Sequence, residues 1–473
     1  MTFRPRVTGI FLSTLVLALA GCVTMRPHPI SPAESLSSFE SRTLDNSGLR
    51  AFLEKNLGRR IDPWPPRAWN FDMLTLTAFY YHPDIDVARA QWESTRAGEV
   101  SAGVRPTPDI SLNSARRRDA QDLSPWTLTY VLTQPIETAG KRGIRITQAK
   151  EASESSRWNL AATAWRVRSR LRKTLLDLQK VSQAEEILGR ERQIREEIER
   201  QIETQGGGMS QLTVSQARIA LNETLLSFHD AAGKRRSLEV ELAGAIGVPP
   251  AALDAVVPDF SEFDSPPEMS DSFLRAARLS ALLNRADILA ALSDYAAAES
   301  ALKLEIAKQY PDVQIGPGYE WDQGNRKWLL GISLPVSMSI RQKGEIAGSV
   351  ARRRESAARF TAIQAGILGE IDRASAAYRA SLEKLQAARD LWDKQKTHQQ
   401  ILKERLHAGE SGRFTLLNAQ LVVTSSEFLY AEAFAEMQNA LGVLEDAVQR
   451  PLDHASLIPE VPEKNPRPDE LGE

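Results

Sequence analysis

The second half of this 473-residue chain repeats the order of sequence signals found in its first half. Asp84 and Asp109 are 25 residues apart, and Asp287 and Asp312 are separated by the same interval. Further matches pair Trp92 with Tyr295, Leu112 with Ile315, Pro135 with Pro335, Gly143 with Gly344, Gly208 with Gly412, Leu212 with Leu416 and Gln216 with Gln420. Each half is therefore predicted to contain a helix, two short strands and a very long helical hairpin.

Composition and residue spacing exclude several functional classes. The chain has 59 basic and 61 acidic residues, so its charge gives no indication of a nucleic-acid partner. Its six histidines are scattered without metal-ligand spacing, which predicts no metal site. Nucleophile-elbow and phosphate-loop patterns are absent from the sequence, so we expect neither an enzyme nor a cofactor.

The N-terminus has the features of a lipoprotein signal. Ile10 to Ala20 is an apolar run of signal-peptide length, and it leads through Gly21 into Cys22. This pattern predicts a signal peptide over residues 1–21, followed by cleavage and lipidation of Cys22. Val23 follows instead of Asp, which favours transfer to the outer membrane. The other interpretation is a plain signal peptide in which Cys22 occurs by chance.

Composition divides the mature chain into five regions. Residues 22–70 are rich in Pro, Ser and Arg and are predicted to form an extended, lipid-anchored arm with one short helix near Leu49 to Leu57. The first repeat begins with a helical pattern that His82-Pro83 must interrupt. The remaining predicted regions are the first repeat at 71–248, an acidic linker at 249–271, the second repeat at 272–450 and a loosely ordered tail at 451–473.

Four short segments have the alternation of β-strands. The clear ones are Trp126 to Leu132, Val313 to Trp321 and Trp328 to Leu334, and a weaker one begins at Ile110. Apolar residues alternate with small or polar ones over about nine or ten positions, the length at which a tilted strand crosses a bilayer. The aromatic residues suited to a girdle at the lipid boundary are Trp126, Tyr130, Tyr319, Trp321 and Trp328. A soluble sandwich with one buried face would show the same alternation.

Two long helical hairpins favour a different architecture. The stretch from about Gly143 to Thr204 has no proline and has apolar residues at every third or fourth position. About sixty helical residues would reach about 90 Å, which exceeds the width of an ordinary globular domain. A glycine turn and a returning helix follow in each half, and their spacing is typical of coiled coils.

Together these elements predict an α+β membrane protein. Four strands cannot enclose a lumen, and a membrane sheet must close to leave no free edge. Three copies would supply a 12-stranded β-barrel with room for a pore. The hairpins have Arg and Glu on their faces, so they must leave the membrane and continue the bore as a periplasmic α-helical barrel.

The chain resembles the TolC family of outer-membrane efflux and secretion channels over nearly all of its mature sequence. The resemblance is strongest in Gln134 to Gly143, in Leu334-Pro335 with Arg341 to Gly344, and in Gly318 to Asp322. The first of these stretches is similar to the cobalt–zinc–cadmium efflux branch. The resemblance implies a homotrimer in the outer membrane that contacts outer-membrane lipid and works with a periplasmic adaptor protein and an inner-membrane transporter. It implies a passive exit duct, with heavy-metal cations or drugs as possible cargo.

The resemblance also implies functional residues at the hairpin tips. The tips would form the closed periplasmic end and the adaptor contact, at Gly206, Gly207, Gly208, Gly409, Gly412 and Phe414. These glycines permit the positive φ of a tight turn, and the other interpretation is that each only completes a turn. Some relatives have acidic rings beyond the second tip. Thr415 and Asn418 take these places here and could line the aperture, but both are neutral, so the sequence gives no support to an acidic gate.

Two basic segments near the strands have two interpretations each. Lys141 and Arg142, between strand and helix, could contact lipid head groups or the neck of the pore, but a solvated or salt-bridged junction is preferred. Arg116 to Arg118 could contact anionic lipid from an extracellular loop, although a solvated loop suffices.

Three other functions are compatible with parts of this pattern. A type I secretion exit duct would have the same fold. A periplasmic adaptor also combines hairpins with β structure, but it would have one hairpin flanked by Gly-rich strands. A lipid-anchored coiled-coil scaffold would lack a pore.

Overall fold

The computed structural model describes residues 25, 27, 29–118, 125–204, 211–264, 267, 270–335 and 339–452. The predicted signal peptide, Cys22, Gly206, Gly207 and Gly208 lie outside the described residues, as does the tail beyond Leu452. The chain forms two compact units, the first ending at Thr43 and the second beginning at Leu44. The first unit contains helix α1, Pro32–Glu40, whose N-cap Ser31 accepts a hydrogen bond from the Glu34 backbone N–H at 3.4 Å.

The segment predicted as an extended arm is only partly an arm. The short helix expected near Leu49 to Leu57 is present as α2, Ser47–Leu57, but the sequence interpretation missed α1. Leu49, Phe52 and Leu53 form one apolar face of α2 and are buried in the core of the second unit. Burial of each such side chain stabilises the fold by about 1.5–3 kcal/mol, which explains why this compact unit begins near Leu44, ahead of the first repeat.

Each repeat begins with two short helices. In the first repeat, α3 is Phe71–Tyr81 and α4 is Pro83–Ala102, so the helix breaks at His82-Pro83 as predicted. The His82 ring accepts a hydrogen bond from the Asp84 N–H at 3.2 Å and caps α4.

The long helical hairpins have nearly the predicted limits. In the first repeat, α5 is Lys141–Thr204 and α6 is Gln211–Ile246, and Gly247 adopts a φ of +88° where α6 ends. The linker then forms short 3-10 turns at Pro250–Leu253 and Ser261–Phe263.

The second repeat has the same order of elements. Its short helices are α7, Asp271–Asn284, and α8, Ala286–Ala307, and its long ones are α9, Ser339–His407, and α10, Arg413–Val448. The 69 residues of α9 correspond to about 100 Å of helix. The break between α7 and α8 occurs at Arg285 without a proline.

One four-stranded antiparallel sheet joins the repeats, in the order β1-β2-β3-β4. Its strands are β1, Asp109–Arg116, β2, Trp126–Ile136, β3, Val313–Asp322, and β4, Asn325–Ser333. The central pairing joins β2 of the first repeat to β3 of the second. Strands β1 and β4 are the two edges of this sheet within one chain.

The apolar cores lie among the helices. The first cluster joins α2, α3, α5 and α6 with Phe263 of the linker, and the second joins α7, α9 and α10 with Leu452. A third, small cluster surrounds Ile198, Ile202 and Leu417 near the hairpin tips. In the part of the chain that the structure describes, no helix combines the length and apolarity needed to cross a membrane.

Candidate functional site

The strand register gives the sheet one apolar face. Tyr130 lies opposite both Leu112 and Tyr319, and Tyr319 lies opposite Trp328, so these side chains share a face across all four strands. The Tyr319 and Trp328 rings contact edge to face at 5.4 Å. Trp328 and Leu330 are 85% and 73% exposed in the single chain. An apolar face this exposed indicates a surface that lipid or another apolar partner covers.

The opposite face of the sheet is polar. Thr127 donates a hydrogen bond to Asp322 at 2.8 Å, and Thr129 donates one to Glu320 at 3.2 Å. Lys327 bridges both carboxylates, at 2.6 Å from Asp322 and 3.3 Å from Glu320. This network joins β2, β3 and β4 on the face suited to water, as the alternation predicts.

The junction between β2 and α5 is held by ion pairs. The Lys141 ammonium group is buried and donates to the Asp312 carboxylate at 2.7 Å and to the Tyr310 carbonyl at 2.6 Å. Asp312 also accepts a hydrogen bond from the Thr138 N–H at 2.9 Å. Arg145 pairs with Glu137 beside it. The preferred interpretation of a salt-bridged junction is confirmed, because Lys141 is enclosed and bound to the other repeat.

The Asp312 carboxyl group is held in its charged form. Partial burial alone would raise its pKa, but the hydrogen bonds from Lys141 and Thr138 outweigh this effect and lower the pKa below the ordinary value for aspartate. The Asp312 carboxylate therefore remains ionised at neutral pH and weakly acidic pH.

The second hairpin tip is a Schellman turn. Gly409 has a φ of +77°, its N–H donates to the Leu406 carbonyl at 3.1 Å, and the Glu410 N–H donates to the Arg405 carbonyl at 2.9 Å. The predicted positive φ is therefore confirmed at Gly409. It is wrong at Gly412, which has a φ of −86° and occupies the N-cap of α10. An N-cap residue has an extended backbone, so this position does not require glycine for its φ.

The predicted tip residues differ in exposure. Phe414 is half-buried and packs against the cluster of Ile198, Ile202 and Leu417, so it also joins the two hairpins. Thr415 and Asn418 are exposed, and the Asn418 amide donates to the Phe414 carbonyl at 3.1 Å. A role in adaptor contact or aperture lining stays a prediction for these residues.

The repeat register at the tips differs from the sequence match. Helices α6 and α10 both have 36 residues, and each is followed by a residue with positive φ, Gly247 and Gln449. Counting from these ends pairs Leu212 with Phe414 and Gln216 with Asn418. The sequence match of Leu212 with Leu416 is therefore shifted by two residues from the structural correspondence. Apolar residues recur often enough on these helices to make such a shifted match look correct.

Sequence reasoning missed a buried charge cluster between the repeats. Arg168 and Arg172 of α5 lie 3.5 Å from the Glu445 carboxylate of α10, and all three are almost fully buried. Arg172 also donates to the Gln438 carbonyl at 2.9 Å. Arg168 lies three residues before the buried Leu171, and Arg172 lies three residues before the buried Leu175. This spacing places both arginines on the buried face of α5, and it is the sequence signal that could have predicted their burial.

Additional polar contacts join the repeats beside this cluster. The Trp165 indole N–H donates to Asp446 at 2.9 Å. Within the second repeat, Arg285 pairs with Asp287 at 2.7 Å and with Glu370 at 3.1 Å. Burial would lower the pKa of Arg285, but these carboxylates raise it, so the guanidinium remains charged. Across the described ranges, no group of three or more His, Cys, Asp or Glu residues could hold a metal ion.

Comparison with known proteins finds that the profile of one protein family matches both repeats. The sequence profile of the family described as outer membrane efflux protein matches residues 78–248 and 278–448. The cobalt-zinc-cadmium resistance protein CzcC of Cupriavidus metallidurans is 22% identical over 278 residues, which cover 56% of this chain and 62% of that protein. The chain thus matches less than two thirds of the length of this relative.

Solved structures have a similar fold. The outer membrane protein VceC from Vibrio cholerae superposes with a TM-score of 0.64 at 18% identity, covering 81% of this chain and 97% of VceC. The outer-membrane channel OprN gives 0.65 at 16% identity, covering 90% of this chain and 99% of OprN. The open state of the Neisseria gonorrhoeae MtrE channel gives 0.65 at 16% identity, covering 81% and 89%.

Proposed function

Because this chain belongs to the outer membrane efflux protein family, we propose that it is the exit duct of a tripartite efflux system. Three copies combine their sheets into a closed barrel, with the polar face toward the lumen. The hairpins extend the lumen into the periplasm, where a periplasmic adaptor and an inner-membrane transporter bind. The duct itself is passive, and Cys22 anchors it to the outer membrane by its lipid.

The two-faced sheet is the observation that carries this proposal. The apolar face is exposed on β1, β2 and β4 and mostly half-buried on β3, the polar face has its own hydrogen-bonded network, and β1 and β4 are the sheet's two edges. A sheet in lipid must pair its edge strands, and further copies supply the missing partners. A lipid-anchored scaffold without a pore would not need this pairing or this apolar exposure.

The pore can be tested on the purified full chain. We expect an oligomer in detergent that dissociates on heating, and stepwise conductance in a planar bilayer. A stable monomer that passes no ions would contradict the proposal and favour the scaffold. Replacement of Cys22 by Ser should abolish labelling with radioactive palmitate without preventing synthesis of the chain.

We propose divalent heavy-metal cations as the cargo class. The name of the relative CzcC, a cobalt-zinc-cadmium resistance protein, and the similar Gln134 to Gly143 stretch support this choice. Deletion of the gene should sensitise cells to cobalt, zinc and cadmium more than to drugs or detergents. Sensitivity to drugs alone would indicate a drug exporter, and loss of a secreted protein would indicate a type I secretion duct.

The adaptor contact can be located by cross-linking in cells. A photoreactive residue at Thr415 or Asn418 should capture a periplasmic partner, because both side chains are exposed beside the tip turn. Thr361, an exposed residue of α9 far along the helix from the tip, is the matched control. Equal capture at all three positions would contradict a docking surface at the tips.

A further inference from the structure

The apolar face of the sheet ends in an arginine on both edge strands. From the helix end of the sheet to the loop end, the residues of this face are Ile110, Leu112, Ser114 and Arg116 on β1, and Ile332, Leu330, Trp328 and Arg326 on β4. Each arginine is six positions from the isoleucine of its strand, a distance of about 20 Å. Arg116 is therefore the last residue of β1 and not part of the loop to which the sequence analysis assigned it.

A tryptophan lies opposite each of these arginines. Arg116 pairs with Trp126 of β2, and its guanidinium carbon lies 5.7 Å from the centre of the Trp126 ring. Arg326 pairs with Trp321 of β3 in the same way. Tryptophan in membrane β-barrels lies at the boundary between hydrocarbon and lipid head groups. Arginine beside it can keep its stem in the apolar layer and its charge among the head groups.

The two arginines have no carboxylate partner among the described residues of the sheet. Glu320 and Asp322, the nearest acidic residues in the β3-β4 hairpin, lie on the polar face and are bound by Lys327. Both Arg116 and Arg326 are exposed. An exposed guanidinium group at the edge of an apolar, lipid-covered face is suited to an anion supplied by the lipid itself.

The next residue along the chain, Arg117, lies on the opposite face. Its N–H donates to the Pro125 carbonyl at 2.7 Å, which continues the pairing of β1 with β2 by one residue. Because side chains alternate along a paired strand, Arg117 is directed to the polar face, where its charge acts on Asp322. Two adjacent arginines therefore have different surroundings, and Arg117 is a matched control for Arg116.

The arginines lie at the end of the sheet that is opposite the helices. Helices α4 and α8 precede β1 and β3, and α5 and α9 follow β2 and β4, so all four attach at the other end. If the hairpins extend into the periplasm, the arginine end faces the outside of the cell. In a closed barrel, β4 of one copy pairs with β1 of the next, so Arg326 and the Arg116 of a neighbouring copy lie on adjacent strands.

We propose that Arg116 and Arg326, each beside its tryptophan, bind the phosphate groups of lipopolysaccharide in the outer leaflet of the outer membrane. A guanidinium group binds a phosphate through two parallel N–H···O bonds, and the tryptophans contact the lipid just below its head group. This inference rests on the proposed function, because it needs the barrel to cross the outer membrane with its hairpins in the periplasm. It adds the class of lipid and the residues that recognise it.

Native mass spectrometry of the purified full-length oligomer tests the proposal. The probes are lipid A, the phosphorylated anchor of lipopolysaccharide, and dephosphorylated lipid A with the same acyl chains. The phosphorylated form should bind more tightly. Arg116→Gln or Arg326→Gln should weaken its binding by about fivefold and the double variant by about thirtyfold, because each arginine near an anionic lipid contributes a similar increment. Arg117→Gln should bind lipid A as the wild type does.

Three results would overturn the proposal. These are equal binding of the two forms of lipid A, wild-type binding by the double variant, and an equal loss in Arg117→Gln. An equal loss of phosphatidylglycerol binding in the double variant would show a site for anionic lipid in general and would also contradict lipopolysaccharide as its specific ligand. The comparison of the two lipids uses the wild type alone, so it decides the question even if a variant fails to assemble.

Failure of this inference can be distinguished from failure of the proposed duct. A wild-type chain that forms no oligomer and conducts no ions contradicts the duct itself. An oligomer that conducts normally but binds both forms of lipid A equally contradicts only the phosphate site. Conductance of the double variant should equal that of the wild type, since both arginines lie on the face directed away from the lumen.

Discussion

At the scale of single residues, similar residue types have different physical roles in this chain. Gly409 and Gly412 both looked like turn glycines, yet only Gly409 has a positive φ. Arg168 is buried against Glu445 at 3.5 Å, whereas Arg192 and Arg200 pair at the half-exposed or exposed helix surface. Residue type and local pattern do not distinguish these cases, since φ and burial are set by surrounding structure.

The same substitution at the two glycines should have opposite effects. Gly409→Ser should destabilise the tip by about 1–2 kcal/mol, because a side chain disfavours the left-handed backbone. A Cβ at this position would meet nothing within 4 Å, so the cost is conformational only. Gly412→Ser should be neutral or stabilise by a few tenths of a kcal/mol as an N-cap. Hydrogen exchange of the last turn of α9 measures the effect at Gly409, and exchange of the first turn of α10 measures the effect at Gly412; equal effects would contradict the assignment.

The buried charge cluster should be far more sensitive than surface pairs. Glu445→Gln leaves Arg168 and Arg172 buried without a carboxylate and should destabilise the protein by about 3–5 kcal/mol. The control is Glu432→Gln, whose partner Lys180 lies 3.7 Å away at the exposed surface and whose loss should cost about 1 kcal/mol or less. The stability of the two variants is compared by their thermal unfolding midpoints. Similar midpoints would argue against a structural role for the cluster.

At the scale of elements, local periodicity identified the helices and strands, but only the tertiary contacts determined which residues of different elements pair with each other. The strand alternation correctly predicted which residues share a face, because side chains alternate strictly along a strand. The Lys141–Asp312 pair joins a residue after β2 to one before β3 and could not be read from either segment alone. Only the central pairing of the sheet brings these two residues together.

Removal of the junction lysine should loosen the connection between strand and helix. Lys141→Met leaves Asp312 without its ion pair and should accelerate hydrogen exchange at Thr138 and in the first turn of α5. Lys173→Met, which removes a lysine whose side chain is 74% exposed, should leave this exchange unchanged. The contribution of the Asp312 pair is present above the ordinary aspartate pKa and is lost as pH falls through the lowered pKa. After correction for the intrinsic pH dependence of amide exchange, the protection of the Thr138 amide in the wild type should therefore stay constant between neutral and weakly acidic pH and fall only in stronger acid.

Substitution by arginine should have different effects on barrel assembly at two adjacent positions of β4. Leu330→Arg places a charge on the proposed lipid face and should cost about 2–4 kcal/mol, which impairs assembly in the membrane. Gly331 lies on the polar face, and a Cβ there would be 3.6 Å from the Gly316 carbonyl, so its side chain has room. Gly331→Arg should assemble and lower the single-channel conductance for cations. Normal assembly of Leu330→Arg would contradict the assignment of the faces.

At the scale of the whole molecule, the two repeats form one folded unit from Leu44 onward. Helix α5 of the first repeat packs on α8 and α10 of the second, and the buried charge cluster and Trp165 join them as well. A protease site inserted between the exposed Asp254 and Ala255 should therefore give halves that stay associated after cleavage. Native mass spectrometry checks this outcome, and separation of the halves would show that the linker alone joins them.

The sequence by itself determined the duplication, the two faces of the strands, the break at His82-Pro83 and the limits of the long helices. These features follow from periodicity and from proline and glycine positions, which act over a few residues. Only the tertiary structure decided that Arg168 and Arg172 enclose Glu445, that α2 belongs to the core and that the tip register is shifted by two residues. Burial and pairing depend on residues far apart in the chain, and one amphipathic pattern is compatible with several partners until the repeats pack together.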